Sequence, residues 1–445
     1  MKTTQRIIEV IDETGAVHTL SRCIGTGGQG SVWLTKGGRR VVKLLNRRGN
    51  GDRMRRQFAF VRRLDLGGLH VARPIAVLKP PHIGYVAEFL GDMVPIKKLI
   101  EAPSTNLLEW HIETGGLRRR LRLLAHAGEA LAGLHGRGVV YADVSHNNVF
   151  VSKPVEALEA WLIDLDNLVH TSDYGRTIFT PGYGAPEVVS GSGGCTTLSD
   201  AWAFAVLVWQ VLTLTHPFVG DFVDDGEPEL EDKAFAAKLP WVGHSTDHSN
   251  ACSRGFPPDL VMARRLVDLA RQTFEEGVDD RIRRPGVSAW VDRLHAAADQ
   301  TVRCSECGGT YFVIESCCPW CDAPRPALLP LRIARWDPDK GLVSGAVRLA
   351  QFPLTSEELV LPRRVTEGLS GPCAREPHVK FKCVDRGVSV HAVPGREVWV
   401  APISKAHERQ YPVTERGRTI PFHAWMVFFE DPGRAQRVAV LGRTS

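Results

Sequence analysis

An aspartate, an asparagine five residues downstream and a second aspartate at the end of an apolar strand constrain this chain more than any other feature. The stretch Tyr141-Ala142-Asp143-Val144-Ser145-His146-Asn147-Asn148 carries the first two, and Trp161-Leu162-Ile163 leads into Asp164. Three groups so spaced can orient a hydroxyl and hold magnesium, which takes hard oxygen ligands and keeps waters and substrate oxygens in its remaining positions. Such a short pattern arises often by chance, so its weight rests on companions, and these stand in order on both sides. Upstream lies Gly25-Thr26-Gly27-Gly28-Gln29-Gly30-Ser31-Val32, then Lys43 in the run Val41-Val42-Lys43. Downstream lie Thr180-Pro181-Gly182-Tyr183-Gly184-Ala185-Pro186-Glu187 and Asp200-Ala201-Trp202. Glycines at 25, 27 and 30 let a β-turn approach a triphosphate closely, although alone the pattern is weak and fits an unliganded hairpin better.

A chain of 445 residues is long for one domain, and two or three are expected. With 43% hydrophobic and 24% charged residues it has the composition of a soluble globular protein. It has no uncharged apolar run of about eighteen residues that would span a bilayer. Ala201 to Leu214 is too short for that and reads as a buried helix. Met1 to Arg6 leads into a strand-like segment rather than a signal peptide's apolar core, so the expected location is cytoplasmic. The net charge of +5 argues neither for nor against nucleic acid. Basic Arg47 to Arg63 and acidic Asp221 to Asp232 read as solvated faces before docking surfaces.

Short β-type runs with glycine turns from Ile7 to Leu45 predict a small antiparallel sheet. Arg53 to Leu64 predicts a helix, and Ala72 to Leu78 and Gly84 to Leu90 predict further strands. Helical periodicity from Leu117 to His135 stops at Gly136 and Gly138, just ahead of the Asp143 loop. Ser199 to Thr213, Val261 to Phe274 and Gly286 to Ala298 read as helices. Sheet first and helices second imply two lobes with a cleft between them. His126, His135 and His216 are assigned no chemistry, packing or capping being the simpler roles.

The ordered motifs together resemble the protein-kinase family, from roughly Ser21 to Leu294. The resemblance implies a bilobal α+β fold and ATP with magnesium as the nucleotide and metal. It places Gly25, Gly27, Gly30, Val32, Lys43 and Glu88 around the nucleotide, with Lys43 gripping the α- and β-phosphates. Asp143 would accept the substrate hydroxyl's proton, Asn148 and Asp164 would hold magnesium, and Thr180 would dock a protein substrate. Glu187 would pair with Arg284, and Asp200 would brace the loop. The family's Asp-Phe-Gly stands here as Asp164-Leu165-Asp166, leaving Asp166 as an alternative metal ligand.

Three departures matter. Gln57 stands where the family has a helix glutamate that pairs with the lysine, so Gln57 substitutes weakly, a carboxylate arrives from elsewhere, or a partner completes the site. Tyr141-Ala142 replaces His-Arg, removing the arginine that commonly pairs with a phosphorylated activation loop. Ser145 replaces a lysine and so removes a positive charge from the developing transition state.

Cys304-x-x-Cys307 and Cys318-x-x-Cys321 have the spacing of two knuckles that wrap zinc through four thiolates, with Cys317 a rival to Cys318. In a chain without an export signal, five of ten cysteines crowded into Cys304 to Cys321 favour metal over disulfides. Beyond the linker Ala323-Pro324-Arg325-Pro326, alternating runs such as Val379 to Val384 and Val388 to Val393 predict a small β-sandwich. The expected organisation is a kinase-like domain over 1–298, with lobes at about 1–91 and 92–298, a zinc ribbon at 300–325 and a β-rich domain at 330–445. The motifs are similar to a bacterial clade of kinases linked to tellurium-resistance-type stress modules, which implies a phosphatase and a von Willebrand A-type protein as companions. Three functions compete: a serine/threonine protein kinase, a nucleotide-binding pseudokinase scaffold, and nucleic-acid binding through the ribbon and the basic helix. The four retained groups, Lys43, Asp143, Asn148 and Asp164, favour the first.

Overall fold

The structure is a computed structural model that describes residues 8–27, 30–46, 51–172, 175, 177–343 and 350–442. Gly28 and Gln29 of the glycine-rich hairpin, Arg47 and Arg48 of the basic run, and the N-terminal residues 1–7 lie outside the described residues. The chain divides into two compact units. The first comprises Met1–Ser104, Arg122–Pro258 and Arg264–Asp292, and the second Thr105–Leu121, Asp259–Ala263 and Arg293–Ser445.

The first unit opens with an antiparallel sheet of strands β1 (Ile8–Ile11), β2 (Val17–Gly27), β3 (Gly30–Thr35), β4 (Arg40–Leu45), β5 (Ala76–Val77) and β6 (Gly84–Glu88), ordered β1-β2-β3-β4-β6-β5. Helix α1 (Gly51–Arg63) buries Phe58 and Val61, and Phe58 meets the edge of Tyr85 at 5.0 Å. The strand expected over Ala72 to Leu78 shrinks to β5, because Pro74 has no N–H to give a ladder. Of the basic run, Arg55 pairs with Asp52 and Arg62 with Glu13, so both serve the fold.

Next come β7 (Met93–Pro95), helices α2 (Leu107–Glu113) and α3 (Gly116–His135), and β8 (Val139–Val140), β9 (Val149–Ser152), β10 (Ala160–Leu162) and β11 (Val169–His170). Strands β10-β9-β7 form one small sheet and β11-β8 another, and between them they hold the loop that carries Asp143. Gly138 ends the α3 region at φ +71°, a left-handed turn that glycine adopts freely. After α4 (Pro186–Val189), α5 (Thr197–Thr213) starts at a capping box between Thr196 and Ser199 and is buried on nearly every face. The helix expected over Val261 to Phe274 is broken instead into Pro258–Val261 and Arg264–Arg271, and then a π-helical turn Gln272–Glu276 in which the Thr273 hydroxyl bonds back to the Leu269 carbonyl at 2.8 Å. A further helix runs Val287–Asp299.

In the second unit, β12 (Thr301–Arg303) and β13 (Thr310–Phe312) form the cysteine hairpin. Its buried core is Val302, Cys304, Tyr311 and Cys318, with Val313, Trp320 and Leu328 among the partly buried side chains packed against it. His111 of α2 lies 5.3 Å from Trp320, and the Arg118 guanidinium donates to the Thr301 hydroxyl at 2.8 Å and its carbonyl at 3.0 Å. These contacts seat the hairpin on α2 and the first turns of α3.

The remainder is β14 (Leu329–Asp337), β15 (Gly341–Leu342), β16 (Ala350–Leu354), β17 (Leu359–Pro362), β18 (Pro377–Val384), β19 (Gly387–Ala392), β20 (Val398–Pro402), β21 (Tyr411–Val413), β22 (Arg418–Ile420), β23 (Trp425–Phe428) and β24 (Gln436–Leu441). One sheet runs β15-β14-β24-β23-β20-β21 with β16 beside β14, and the other runs β17-β18-β19-β22. Ile333, Val400, Val427 and Leu441 of the first share a core with Val379, Phe381, Val388 and Val390 of the second, as in a sandwich. Val438 and Val440 face a second cluster with Trp336 and Phe428, so β24 is buried on both faces. Among the described residues no helix is long and apolar enough to cross a membrane.

Candidate functional site

A cleft of about 770 Å³ opens in the first unit between the six-stranded sheet and the loop that carries Asn148. Ile24, Val32, Val41, Ala72, Phe150 and Ile163 make its apolar walls, which suit a flat aromatic base. Glu88, Phe89 and Leu90 line one end, and Lys43, Asn148 and Asp164 gather at the polar end. Gly25, Gly27, Gly30 and Val32 also line the cleft. The glycines there differ in cause. A Cβ on Gly30 would fall 2.1 Å from the Leu44 carbonyl oxygen, so strand packing alone demands glycine. A Cβ on Gly27 would meet nothing within 4 Å, so packing does not require glycine there, and the missing side chain leaves backbone N–H groups open to an anion.

Val32, Lys43 and Tyr85 stand in register across three strands and therefore share a face. From that row Lys43 Nζ donates to Asp164 and, at 2.8 Å, to Asp166 Oδ2. Tyr85 donates to Asp166 Oδ1 at 3.5 Å. Burial works against charge on Lys43, but Asp166 and then Asp164 hold its pKa above the ordinary lysine value. Burial also pushes both carboxyls up. It wins at Asp164, which the neighbouring Asp166 helps raise to about 7, whereas hydrogen bonding and Lys43 hold Asp166 below the usual range. Gln57 makes no part of this cluster, since its amide donates to the Leu168 carbonyl at 2.6 Å.

Asp143 sits between two donors: Thr180 Oγ1 reaches Oδ1 at 2.7 Å and Asn148 Nδ2 reaches Oδ2 at 2.9 Å. The amide nitrogen of Asn148 being spent on Asp143, its oxygen is the atom left for a cation. Ala142 at φ +70° and Asp164 at φ +61° both hold left-handed conformations that cost non-glycine residues about 1–2 kcal/mol. Asp200 fixes the first by accepting from the Tyr141 and Ala142 amides at 2.7 and 2.9 Å and from His135 Nε2 at 2.9 Å. Tyr141 joins the loop to the strand before Asp164 by donating to the Ile163 carbonyl. Ser145 is wholly buried and brings no group into the cleft. Sequence reasoning placed Lys43, Asp143, Asn148, Asp164 and Thr180 in one site, and the structure brings them together. It missed Tyr85 and Tyr141, and its one clue to the Asp166 contact was a second carboxylate where the family has glycine.

Arg284 pairs with Glu187 through two bonds of 2.7 and 2.8 Å and lies 4.9 Å from the Trp202 ring centre. Their side chains are 1% and 12% exposed, so losing one partner strands a buried charge. Glu187→Ala is expected to cost about 3–5 kcal/mol, read as a fall in thermal midpoint, and a wild-type midpoint would disprove it.

His216 Nε2 donates to the Gly182 carbonyl at 2.8 Å while Nδ1 accepts from the Phe218 amide at 3.1 Å, an arrangement that only the neutral ring can make. Burial lowers its pKa from 6.5 to about 4, against the pull of the Gly182 carbonyl. The unfolded chain therefore binds this proton first as pH falls, and the ring's contribution is complete above pH 6.5 and lost on descent to pH 4. The loss is on the order of 3 kcal/mol. The thermal midpoint should fall across that window, and a flatter slope is expected for His216→Asn; an unchanged slope would refute the assignment.

Cys304, Cys307, Cys318 and Cys321 bring their sulfurs within 4.8 Å of one another. The Cys304–Cys321 and Cys307–Cys318 separations are 3.6 and 3.7 Å. A zinc–sulfur bond of about 2.3 Å puts tetrahedral ligand sulfurs about 3.8 Å apart, so the cage fits zinc. Cys317 is exposed, pairs with Pro324 in an isolated bridge and lies outside the cluster.

The family model described as "Protein kinase domain" matches residues 19–284. The chain is similar to the serine/threonine-protein kinase pkn2 of Myxococcus xanthus, 28% identical over 242 residues that make up 49% of this chain and 26% of that protein. It is also similar to the DNA damage-responsive serine/threonine-protein kinase RqkA of Deinococcus radiodurans, 32% identical over 126 residues, 28% of this chain and 19% of that one. A further relative is the serine/threonine-protein kinase Pkn1 of Myxococcus xanthus, 28% identical over 301 residues, 64% of this chain and 39% of that one. The matches thus span well under two thirds of each relative's length.

Proposed function

Because this chain belongs to the protein kinase domain family, we propose that it transfers the γ-phosphate of ATP to serine or threonine hydroxyls of a protein substrate. The observation that carries this reading is Asp143 held by Thr180 and by Asn148, the latter lining the polar end of a cleft together with Lys43 and Asp164. Asp143 Oδ1 or Oδ2 takes the proton from the attacking hydroxyl, and Thr180, on the Thr180 to Glu187 segment, sets where a peptide lies. Lys43 steadies the nucleotide's phosphates, and the glycine hairpin with Val32 and the segment at Glu88 encloses its other end. Asn148 and Asp164 would hold magnesium, which supplies charge neutralisation on the phosphates.

Domain limits of 1–298, 300–325 and 330–445 accompany this reading, with the second a structural zinc ribbon and the third a recruiting surface. The finer placement is a bacterial regulatory kinase of the tellurium-resistance-type stress clade, acting in the cytoplasm beside a phosphatase and a von Willebrand A-type protein. The buried Ser145 and the bond from Gln57 to Leu168 favour a second reading, a nucleotide-binding scaffold, because neither brings charge to the transferred phosphoryl group. Transfer from γ-labelled ATP with magnesium to a generic protein substrate separates the two. Acid-stable label recovered as phosphoserine or phosphothreonine supports the kinase, and nucleotide binding with no label supports the scaffold.

A further inference from the structure

The geometry points to Asp166 as the positioning carboxylate for Lys43, a role supplied from the loop after Asp164 and not from helix α1. This inference rests on the cleft above being the nucleotide site. Two carboxylates contact Lys43, and they are not equivalent. Asp164 lines the cleft and its side chain is 26% exposed, so it can turn its oxygens to a bound cation. Asp166 is 1% exposed and is not among the residues that line the cleft; its oxygens go to Lys43 at 2.8 Å and to Tyr85 at 3.5 Å. When Asp164 engages a cation, Lys43 keeps Asp166 and stays pointed at the phosphates.

Helix α1 has no part in this contact. Gln57 spends its amide on the Leu168 carbonyl, which ties α1 to the loop without touching Lys43. The Lys43 grip therefore needs no swing of α1 to bring a carboxylate in, and the buried row of Tyr85, Lys43 and Asp166 is complete without one. Buried charge pairs lose much when one partner is neutralised, because the other is left uncompensated.

The test is nucleotide affinity, read by fluorescence of a labelled ATP analogue, on the full-length zinc-loaded chain. Asp166→Asn keeps the shape and removes the charge, and is expected to weaken binding tenfold or more and to raise the KM for ATP. The magnesium concentration at half-saturation should not move. Gln57→Ala should shift affinity less than threefold. In a Lys43→Met background, Asp166→Asn should add little, because its effect passes through the lysine. Asp166→Asn binding within twofold of wild type, or a full additional loss on top of Lys43→Met, overturns the inference. A rise in half-saturating magnesium overturns it in favour of Asp166 as metal ligand. If Asp166→Asn fails to fold, Gln57→Ala decides, and a tenfold loss there returns the role to α1. Binding without transfer sinks only catalysis and leaves this comparison standing, whereas a wild-type chain that binds no nucleotide overturns both.

Discussion

Asp143→Asn is expected to leave the chain folded and to cut phosphate transfer by about 10²–10⁴-fold. The substitution suits the site unusually well. Asn148 can only donate to position 143, so an introduced asparagine would turn its oxygen toward Asn148 and its amide toward Thr180, whose hydroxyl accepts as readily as it donates. The network survives and the basic oxygen is lost. The loss should fall on kcat, with the KM for ATP little changed, because Asp143 does not line the nucleotide cleft. The thermal midpoint should stay near wild type. Transfer within twofold of wild type would remove Asp143 from the chemistry.

The second large effect is expected from removing zinc. The hairpin of β12 and β13 has a buried core of four residues, and two of them, Cys304 and Cys318, belong to the four-sulfur cage. Without the metal the hairpin keeps only a thin core around Val302, Tyr311 and Trp320, and structural zinc contributes on the order of 10–16 kcal/mol in modules of this size. Purified chain should carry about one zinc. Cys304→Ser and Cys318→Ser should lose it, and a strong chelator should release it from the wild type. Amide exchange over Thr301 to Cys321 should then rise, and the Trp320 environment should change. Cys317→Ser should keep its zinc. A Cys304→Ser chain with full zinc content would contradict the four-thiolate cage.

What the sequence disclosed, and what it withheld, follows from range. The cysteine spacing and the Asp143 to Asn148 interval are local, and local geometry survives translation into structure. Alternation in Val379 to Val384 and Val388 to Val393 likewise marked two strands that pair directly, β18 and β19. The partner of Lys43 was different, because position 166 lies far along the chain and only the folding of the Leu165–Asn167 turn against the Lys43 face of the sheet brings the two together. The glutamine at position 57 and the extra carboxylate in Asp164-Leu165-Asp166 were both visible, but nothing in one dimension joined them. Periodicity also overran Val261 to Phe274, since apolar spacing there continues through a break and a π-helical turn that a 3.6-residue period does not register.

Strand β24 lies between β14 and β23 in the middle of its sheet, although its residues come from the far end of the chain. During synthesis β14 emerges early and waits for its neighbour, with roughly 110 residues still to be made. At about 5–20 residues per second that interval lasts roughly 5–20 seconds. Through it, the edge of β14 that pairs with β24 stays unpaired, and the sandwich cannot close until Gln436–Leu441 has left the ribosome. A ribosome stalled short of that strand would therefore hold a chain with an open apolar sheet, a ready ligand for chaperones and a point at which expression of truncated forms fails.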